Sequence, residues 1–192
     1  MERKNRAVFL DRDGTIIRER NYLKRSKDVV FFKSTVPALK LLQDHGFKLI
    51  ITSNQSGVAR GYFTEGKLKK INERIVKKLK TGGIRITDIF YCPHLPEADC
   101  PCRKPKIKML LAARKKHKLD LTRSFVIGDK LTDVQFAKNA GAGSVMLLTG
   151  HGLSEVRSSG LKGRDGKLKA GAPDYIAKNL LDASKWIIVE KL

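Results

Sequence analysis

Short apolar runs alternate with longer amphipathic stretches along almost the whole chain. Ala7-Val8-Phe9-Leu10 is a continuous apolar run of strand length. Lys48-Leu49-Ile50-Ile51, Ile86 to Tyr91, Ser124-Phe125-Val126-Ile127 and Ser144 to Leu148 repeat the type. Runs this short with no polar face read as strands buried on both sides. Between them, Val36 to His45 carries Leu39, Leu41 and Leu42 and stops at Gly46. Thr64 to Lys80 opens on a capping threonine and sets Leu68, Ile71, Ile75 and Leu79 at helical spacing, with lysines on its other faces. Met109 to Leu119 and Asp133 to Ala140 predict two more helices, and Pro173 to Val189 a last short strand and helix. Strands alternating with helices predict an α/β fold, a three-layer sandwich around a mainly parallel, Rossmann-like central sheet. Residues 14–33 show no clear period. Residues 150–172, rich in glycine and charge, predict a flexible basic loop or flap. Neither stretch is large enough to stand apart, so the pattern predicts one domain over residues 1–192 without a separate cap domain.

Composition changes that picture little. A chain of 192 residues with 41% hydrophobic content is long and apolar enough to bury a real core. No apolar run approaches the ~20 residues that span a bilayer. Met1 to Arg6 is charged and leads into a run too short for a secretory signal. Cys92, Cys100 and Cys102 are an odd number packed closely in sequence, a poor disulfide framework. The expected setting is therefore the reducing cytoplasm, with no membrane partner, and the expected state a monomer. The net charge of +21, from 40 basic and 19 acidic residues, draws anions of every kind. Nucleic acid, anionic membrane and phosphorylated metabolites all fit it, and so does a set of solvated lysine-rich helix faces.

Chemistry enters where the strands end. In an open parallel sheet, ligands bind beyond the carboxyl ends of the strands. There the chain places Asp11-Arg12-Asp13-Gly14-Thr15, then Thr52 to Gly57, then Cys92-Pro93-His94 with Arg103-Lys104-Pro105 further on, then Gly128-Asp129-Lys130 and Asp133. Asp11 and Asp13, two apart, point the same way from an extended segment, so one carboxylate attacks while the other handles a proton. Asp129 and Asp133 would crowd charge against Asp11. Carboxylates that close call for a cation among them, and a hard oxygen-ligated ion of that kind is Mg²⁺. For Asp133 alone the plain alternative is an ordinary acidic residue at a helix start. Cys92, His94, Cys100 and Cys102 make a complete three-thiolate, one-imidazole set for a structural Zn²⁺ with no open position. The plain alternative there is a buried thiol cluster beside a polar loop histidine.

Asp11-Arg12-Asp13-Gly14-Thr15, Ser53-Asn54, Lys104 and Gly128-Asp129-x-x-x-Asp133 resemble, in order, the four motifs of the haloacid dehalogenase superfamily over about residues 7–150. The resemblance implies a phosphatase. Asp11 would form an aspartyl-phosphate, and Asp13 would protonate the leaving oxygen and then activate water. Ser53 and Lys104 would hold the phosphoryl oxygens. Asp11, the Asp13 carbonyl and Asp129 would bind Mg²⁺, and Asp133 would orient Lys104 or a metal-bound water. The cysteine loop, with Ser53 to Gly61 and Cys100 to Pro105, is similar to that of the D-glycero-D-manno-heptose 1,7-bisphosphate phosphatases, which remove the C7 phosphate, and of the related histidinol-phosphate phosphatases. On the matching positions Glu19, Arg20, Asn21, Tyr22, Ser53, Asn54, Gln55 and Ser56 would contact substrate. Arg103 would grip the uncleaved phosphate, as a guanidinium suits, with Lys130 as a second cation. The expected partner is thus a small phosphorylated sugar. The competing readings are a histidinol-phosphate phosphatase, which would need an acidic counter-group rather than extra cations, a nucleic-acid 3′-phosphatase, and a basic nucleic-acid-binding module on an inactive scaffold. No aromatic-rich stacking stretch favours nucleic acid.

Overall fold

The computed structural model describes residues 5–161 and 169–191. Its centre is a six-stranded sheet in the order β3-β2-β1-β4-β5-β6, formed by β1 (Ala7–Leu10), β2 (Lys48–Asn54), β3 (Ile86–Cys92), β4 (Phe125–Gly128), β5 (Gly143–Leu147) and β6 (Tyr175–Ala177). Every neighbouring pair is parallel. Alternation along each strand sends side chains to opposite faces. Val8, Leu10, Leu49, Ile51, Ile127 and Leu147 meet helices α1 (Thr35–Asp44), α2 (Glu65–Thr81) and α6 (Leu180–Lys191). Ala7, Phe9, Ile50 and Val126 meet α3 (Lys108–His117) and α4 (Leu131–Lys138) on the other face. The expected three-layer α/β architecture is therefore the observed one.

Local signals account for the helix ends. The Thr64 hydroxyl accepts a hydrogen bond from the Lys67 amide at 3.3 Å and starts α2 as the sequence predicts. Leu68, Ile71, Ile75 and Leu79 form its buried stripe, and lysines occupy the solvent side. The Thr35 hydroxyl donates to the Ile16 carbonyl at 2.7 Å, which ties α1 to the loop after β1.

Three expectations need correction. Gly152–Ser159 is a helix, α5, where a loop was expected. Its short length and sparse apolar residues hide the period, and it ends at Gly160 with φ +56°. Residues 162–168 of that expected loop lie outside the described residues. β2 runs on through Asn54, so Ser53 and Asn54 end the strand rather than follow it. β3, read as buried on both sides, is an edge strand and only half-buried along most of its length. Its pairing with β2 slips by one residue at Thr87, and Asp88 on it takes an ion pair from Lys116 at 2.8 Å and makes a hydrogen-bond contact with His117 Nε2 at 2.7 Å, both on α3. Among the described residues no helix is long and apolar enough to cross a membrane.

Phe136 on α4 is fully buried against the Phe9 side of the sheet. Phe136→Ala is expected to cost about 3–5 kcal/mol, from lost burial and the cavity left behind, as read from the urea unfolding midpoint.

Candidate active site

The strand order reverses direction between β1 and β4, and at such a switch point the loops leaving the two strands part and leave a crevice. Asp11 leaves β1 there and Asp129 leaves β4, their strands held in register by the Asp11 amide donating to the Ile127 carbonyl at 2.9 Å. Asp11, Asp129 and Asp133 offer carboxylate oxygens that all lie within 4.8 Å of one another, and all three residues are buried. Lys104 reaches in from the loop before α3. Its Nζ donates to Asp11 Oδ1 at 2.6 Å, Asp133 Oδ1 at 2.5 Å and the Thr52 carbonyl at 3.0 Å. Asp133 lies over Gly128, where a β-carbon would stand 2.2 Å from its carboxylate, so only glycine leaves room for it. Its Oδ2 accepts the Lys130 amide at 3.3 Å at the start of α4.

Burial sets the electrostatics. It pushes the Asp129 carboxyl up to about 8, with the negative charge of Asp11 adding to the effect. Asp11 is pushed up to about 6, again mainly by burial and partly restrained by Lys104. Burial alone would depress the Lys104 ammonium, but the Asp11 and Asp133 carboxylates outweigh it and hold it above its ordinary range. Three acids beside one lysine leave the pocket short of positive charge. One oxygen of Asp129, Oδ1, and one of Asp13, Oδ1, are buried with no hydrogen-bond partner among the described residues. A hard divalent cation ligated by oxygen fits this donor set, and Mg²⁺ is such an ion.

Asp13 is held by two groups that the sequence reading did not single out or placed elsewhere. Its Oδ2 accepts from Arg12 Nε at 2.9 Å and from Gln55 Nε2 at 2.9 Å. The Arg12 side chain is itself buried, and its guanidinium also donates to Gln55 Oε1 at 2.9 Å and Asn72 Oδ1 at 3.2 Å. Gln55 Nε2 donates to Ser53 Oγ at 2.5 Å. The Asn54 amide clasps the Lys104 backbone from both sides, accepting from its N–H at 3.0 Å and donating to its carbonyl at 3.2 Å. Asn54 and Gln55, expected to contact substrate, thus have side chains engaged with Lys104 and Asp13. Arg12 was legible as a charge between two acids; Asn72, on α2, carried no local signal.

A fourth loop, after β5, completes the site and went unread. The Thr149 hydroxyl donates to the Gly14 carbonyl at 2.6 Å, and the His151 amide donates to Asp129 Oδ2 at 2.7 Å. A β-carbon on either Gly14 or Gly150 would lie 2.1 Å from an Asp129 oxygen, so two glycines let the turns close on that carboxylate. The rule that strand ends carry ligands pointed to this segment as well. Around the acids opens a cleft of ≈ 560 Å³ whose walls include Glu19, Tyr22, Ser56, Arg103, Lys130 and His151. Glu19 is pushed up to about 7, by burial first and by Asp13 second.

A second cluster lies on the loop that carries Lys104. Cys92 Sγ is 3.4 Å from Cys100 Sγ and 3.6 Å from His94 Nδ1. Cys102 Sγ is 3.4 Å from Cys100 Sγ and 3.3 Å from His94 Nδ1. A tetrahedral site with metal–sulfur bonds of about 2.3 Å has sulfur–sulfur edges of about 3.8 Å, so the four donors are spaced close to what a zinc ion requires. The Arg103 guanidinium donates to the His94 carbonyl at 3.3 Å, joining this cluster to the cleft wall.

Acid motif, buried lysine and sheet topology together define a class of hydrolase, and the chain belongs to the haloacid dehalogenase-like hydrolases as a phosphatase. The family model of that description matches residues 20–141, and a HAD-hydrolase-like model matches residues 101–183. More narrowly, the chain is 39% identical over 160 residues to the D-glycero-alpha-D-manno-heptose-1,7-bisphosphate 7-phosphatase of Photorhabdus laumondii, covering 79% of this chain and 87% of that protein. It is 36% identical over 190 residues to the D-glycero-beta-D-manno-heptose-1,7-bisphosphate 7-phosphatase of Haemophilus ducreyi, covering 95% and 98%. The crystal structure of a D,D-heptose 1,7-bisphosphate phosphatase from B. bronchiseptica, complexed with magnesium and phosphate, superposes with a TM-score of 0.83 at 27% identity, over 96% of this chain and 99% of that one.

The carboxyl of Asp129 sits at about 8 against an ordinary 3.8, so the metal-free fold favours its neutral form. The stability this contributes is complete below about pH 4 and is lost as pH rises through about 8. Asp129→Asn, neutral throughout, is expected to be more stable than the parent in magnesium-free buffer at pH 8, with the gap closing toward pH 4. Urea midpoints at the two pH values check this, and an equal or lower midpoint at pH 8 would contradict it.

Proposed function

We propose that the enzyme removes the C7 phosphate of D-glycero-D-manno-heptose 1,7-bisphosphate and leaves the 1-phosphate, by way of an aspartyl-phosphate on Asp11. The observation that carries the reading is the cleft itself. It is lined by Asp11 and Asp13 and, beyond the Lys104 that the reacting group needs, by further cations that include Arg20, Arg103 and Lys130. Relatives named for this reaction, at 36–39% identity, support it.

In this mechanism an Asp11 carboxylate oxygen attacks phosphorus as the bond to the sugar oxygen breaks. Asp13, fixed by Arg12 and Gln55, gives its proton to that leaving oxygen. Asp13 then takes a proton from water, whose oxygen attacks phosphorus, releases phosphate and restores the Asp11 carboxylate. Lys104 and the Ser53 hydroxyl meet the phosphoryl oxygens as charge spreads over them. Asp133 keeps the Lys104 ammonium aimed at Asp11. Asp11, the Asp13 carbonyl and Asp129 would hold Mg²⁺, which when bound supplies the positive charge that the acids and the phosphate lack. Arg103 and Lys130 take the phosphate that stays, Glu19 and Tyr22 stand beside the sugar, and Ser56 lines the entrance. Cys92, His94, Cys100 and Cys102 hold a structural Zn²⁺ that braces the loop presenting Arg103 and Lys104. Reduced thiols of this kind suit the cytoplasm.

Two experiments test the proposal. In the first, phosphate release is measured with magnesium over a panel of the heptose bisphosphate, sugar monophosphates, histidinol phosphate and a 3′-phosphorylated oligonucleotide. The heptose bisphosphate should give the highest kcat/KM, with the 1-phosphate as product, and Asp11→Asn should keep less than about a thousandth of the activity. Faster hydrolysis of histidinol phosphate or of the oligonucleotide would overturn the substrate assignment. In the second, elemental analysis should find about one zinc per chain, and Cys100→Ser should lose it. Full zinc in that variant would mean a different ligand set.

A further inference from the structure

We propose that His151 is a specificity-determining residue whose imidazole, facing the Glu19 carboxylate across the cleft, binds a hydroxyl group of a polyol phosphate. The inference rests on the sugar-phosphate reading and extends it to a residue that neither the motifs nor the expected substrate contacts include. His151 Nε2 and Glu19 Oε2 stand 3.8 Å apart. That gap exceeds a hydrogen bond, so the two groups face each other without closing on each other. Both line the active-site cleft, and both stay accessible, with side chains 48% and 25% exposed. A hydroxyl both donates and accepts, so it can accept from the Nε2–H of the ring on one side and donate to the carboxylate on the other.

The position of the ring is held by its backbone. The His151 amide is bound to Asp129 at 2.7 Å, the Thr149 hydroxyl holds Gly14 at 2.6 Å, and the Gly152 amide closes the turn on the Thr149 carbonyl at 2.8 Å. A β-carbon at Gly152 would lie 1.6 Å from the Leu147 carbonyl oxygen, which keeps the turn against the end of β5. On the other side, α5 is tied to α4 by the Leu131 amide donating to Glu155 at 3.2 Å. The side chain is thus presented from a braced turn at a fixed distance from the reacting acids, and a group so placed selects among substrates by what it meets. A simple exposed ion pair between His151 and Glu19 would contribute almost nothing measurable, and the two roles therefore separate by experiment.

The test is steady-state kinetics of His151→Ala and His151→Gln on the heptose bisphosphate and on p-nitrophenyl phosphate, which has no hydroxyl groups, with thermal midpoints and magnesium activation curves recorded for each variant. His151→Ala should lower kcat/KM for the bisphosphate about tenfold, chiefly through KM, while p-nitrophenyl phosphate falls no more than about threefold. His151→Gln, which restores a donor and an acceptor, should recover much of the loss. Combined with Glu19→Gln, the His151→Ala loss should be less than additive, because both groups hold one hydroxyl. Equal losses on both substrates, or a shifted magnesium midpoint, would show that the loop acts only through Asp129 and would overturn the proposal. If the wild type ignores the heptose bisphosphate, the proposed function falls by itself. The same contrast then runs on the best polyol phosphate of the panel, where equal losses overturn the His151 role independently.

Discussion

Three buried carboxylates crowd together at the meeting of β1 and β4 with the Lys104 ammonium bonded to two of them, and the rest of the site is arranged around that shortage of positive charge. Asp11 and Asp133 both bond to Lys104, while among the described residues Asp129 forms no ion pair and one of its oxygens has no hydrogen-bond partner. Water would ordinarily screen such a cluster, but burial removes it, and Asp11 and Asp129 respond by holding their protons to unusually high pH. An arrangement this costly persists only when something completes it. A divalent cation and a dianionic phosphoryl group would do so together, since each is drawn by what the other and the lysine leave unbalanced.

The fold meets that demand by bringing four loops to one end of one sheet. Each is fixed by a different device. The loop after β1 is clasped by Arg12, which reaches across to α2 through Asn72. The loop carrying Lys104 is held by Asn54 on one side and carries the thiol–imidazole cluster on the other. The loop after β4 is folded back on itself by Asp133 over Gly128. The loop after β5 is pressed against Asp129 by paired glycines. Apolar packing on both faces of the sheet supplies the rigidity, so carboxylates that repel one another remain within ångströms.

Much of this was legible in the chain. The buried strands announced themselves as continuous apolar runs because both faces of the sheet are covered, and α2 by a regular stripe beginning at Thr64. Asp11, Asp13, Asp129 and Lys104 could be singled out because charged residues gathered at strand ends point to chemistry there. What escaped was information that lies in space rather than along the chain. Arg12 is legible as a charge between two acids, but its bond to Asn72, sixty positions away, is not. That Asn54, which lines the cleft, also clasps the Lys104 backbone fifty positions away is visible only in the fold. Thr149 and His151 have no motif of their own, and the bonds of the Thr149 hydroxyl to Gly14 and of the His151 amide to Asp129 join segments far apart in the chain. The helix α5 is too short to display a period, and the partial exposure of β3 depends on its place in the sheet order, which no local pattern encodes.

That place at the margin has a consequence for how the protein lives at high concentration. A terminal strand offers its free backbone groups to any other chain, and two copies meeting margin to margin would begin an aggregate. Here the slip in pairing at Thr87 disturbs the flat template, and Asp88 puts a charge on the strand itself, held by Lys116 and His117 of α3. The lysine-rich helices α2 and α3 flank the same margin on either face of the sheet, so like charge meets like as two molecules approach. Part of the large positive charge thus guards the colloidal stability of a sheet that never closes on itself.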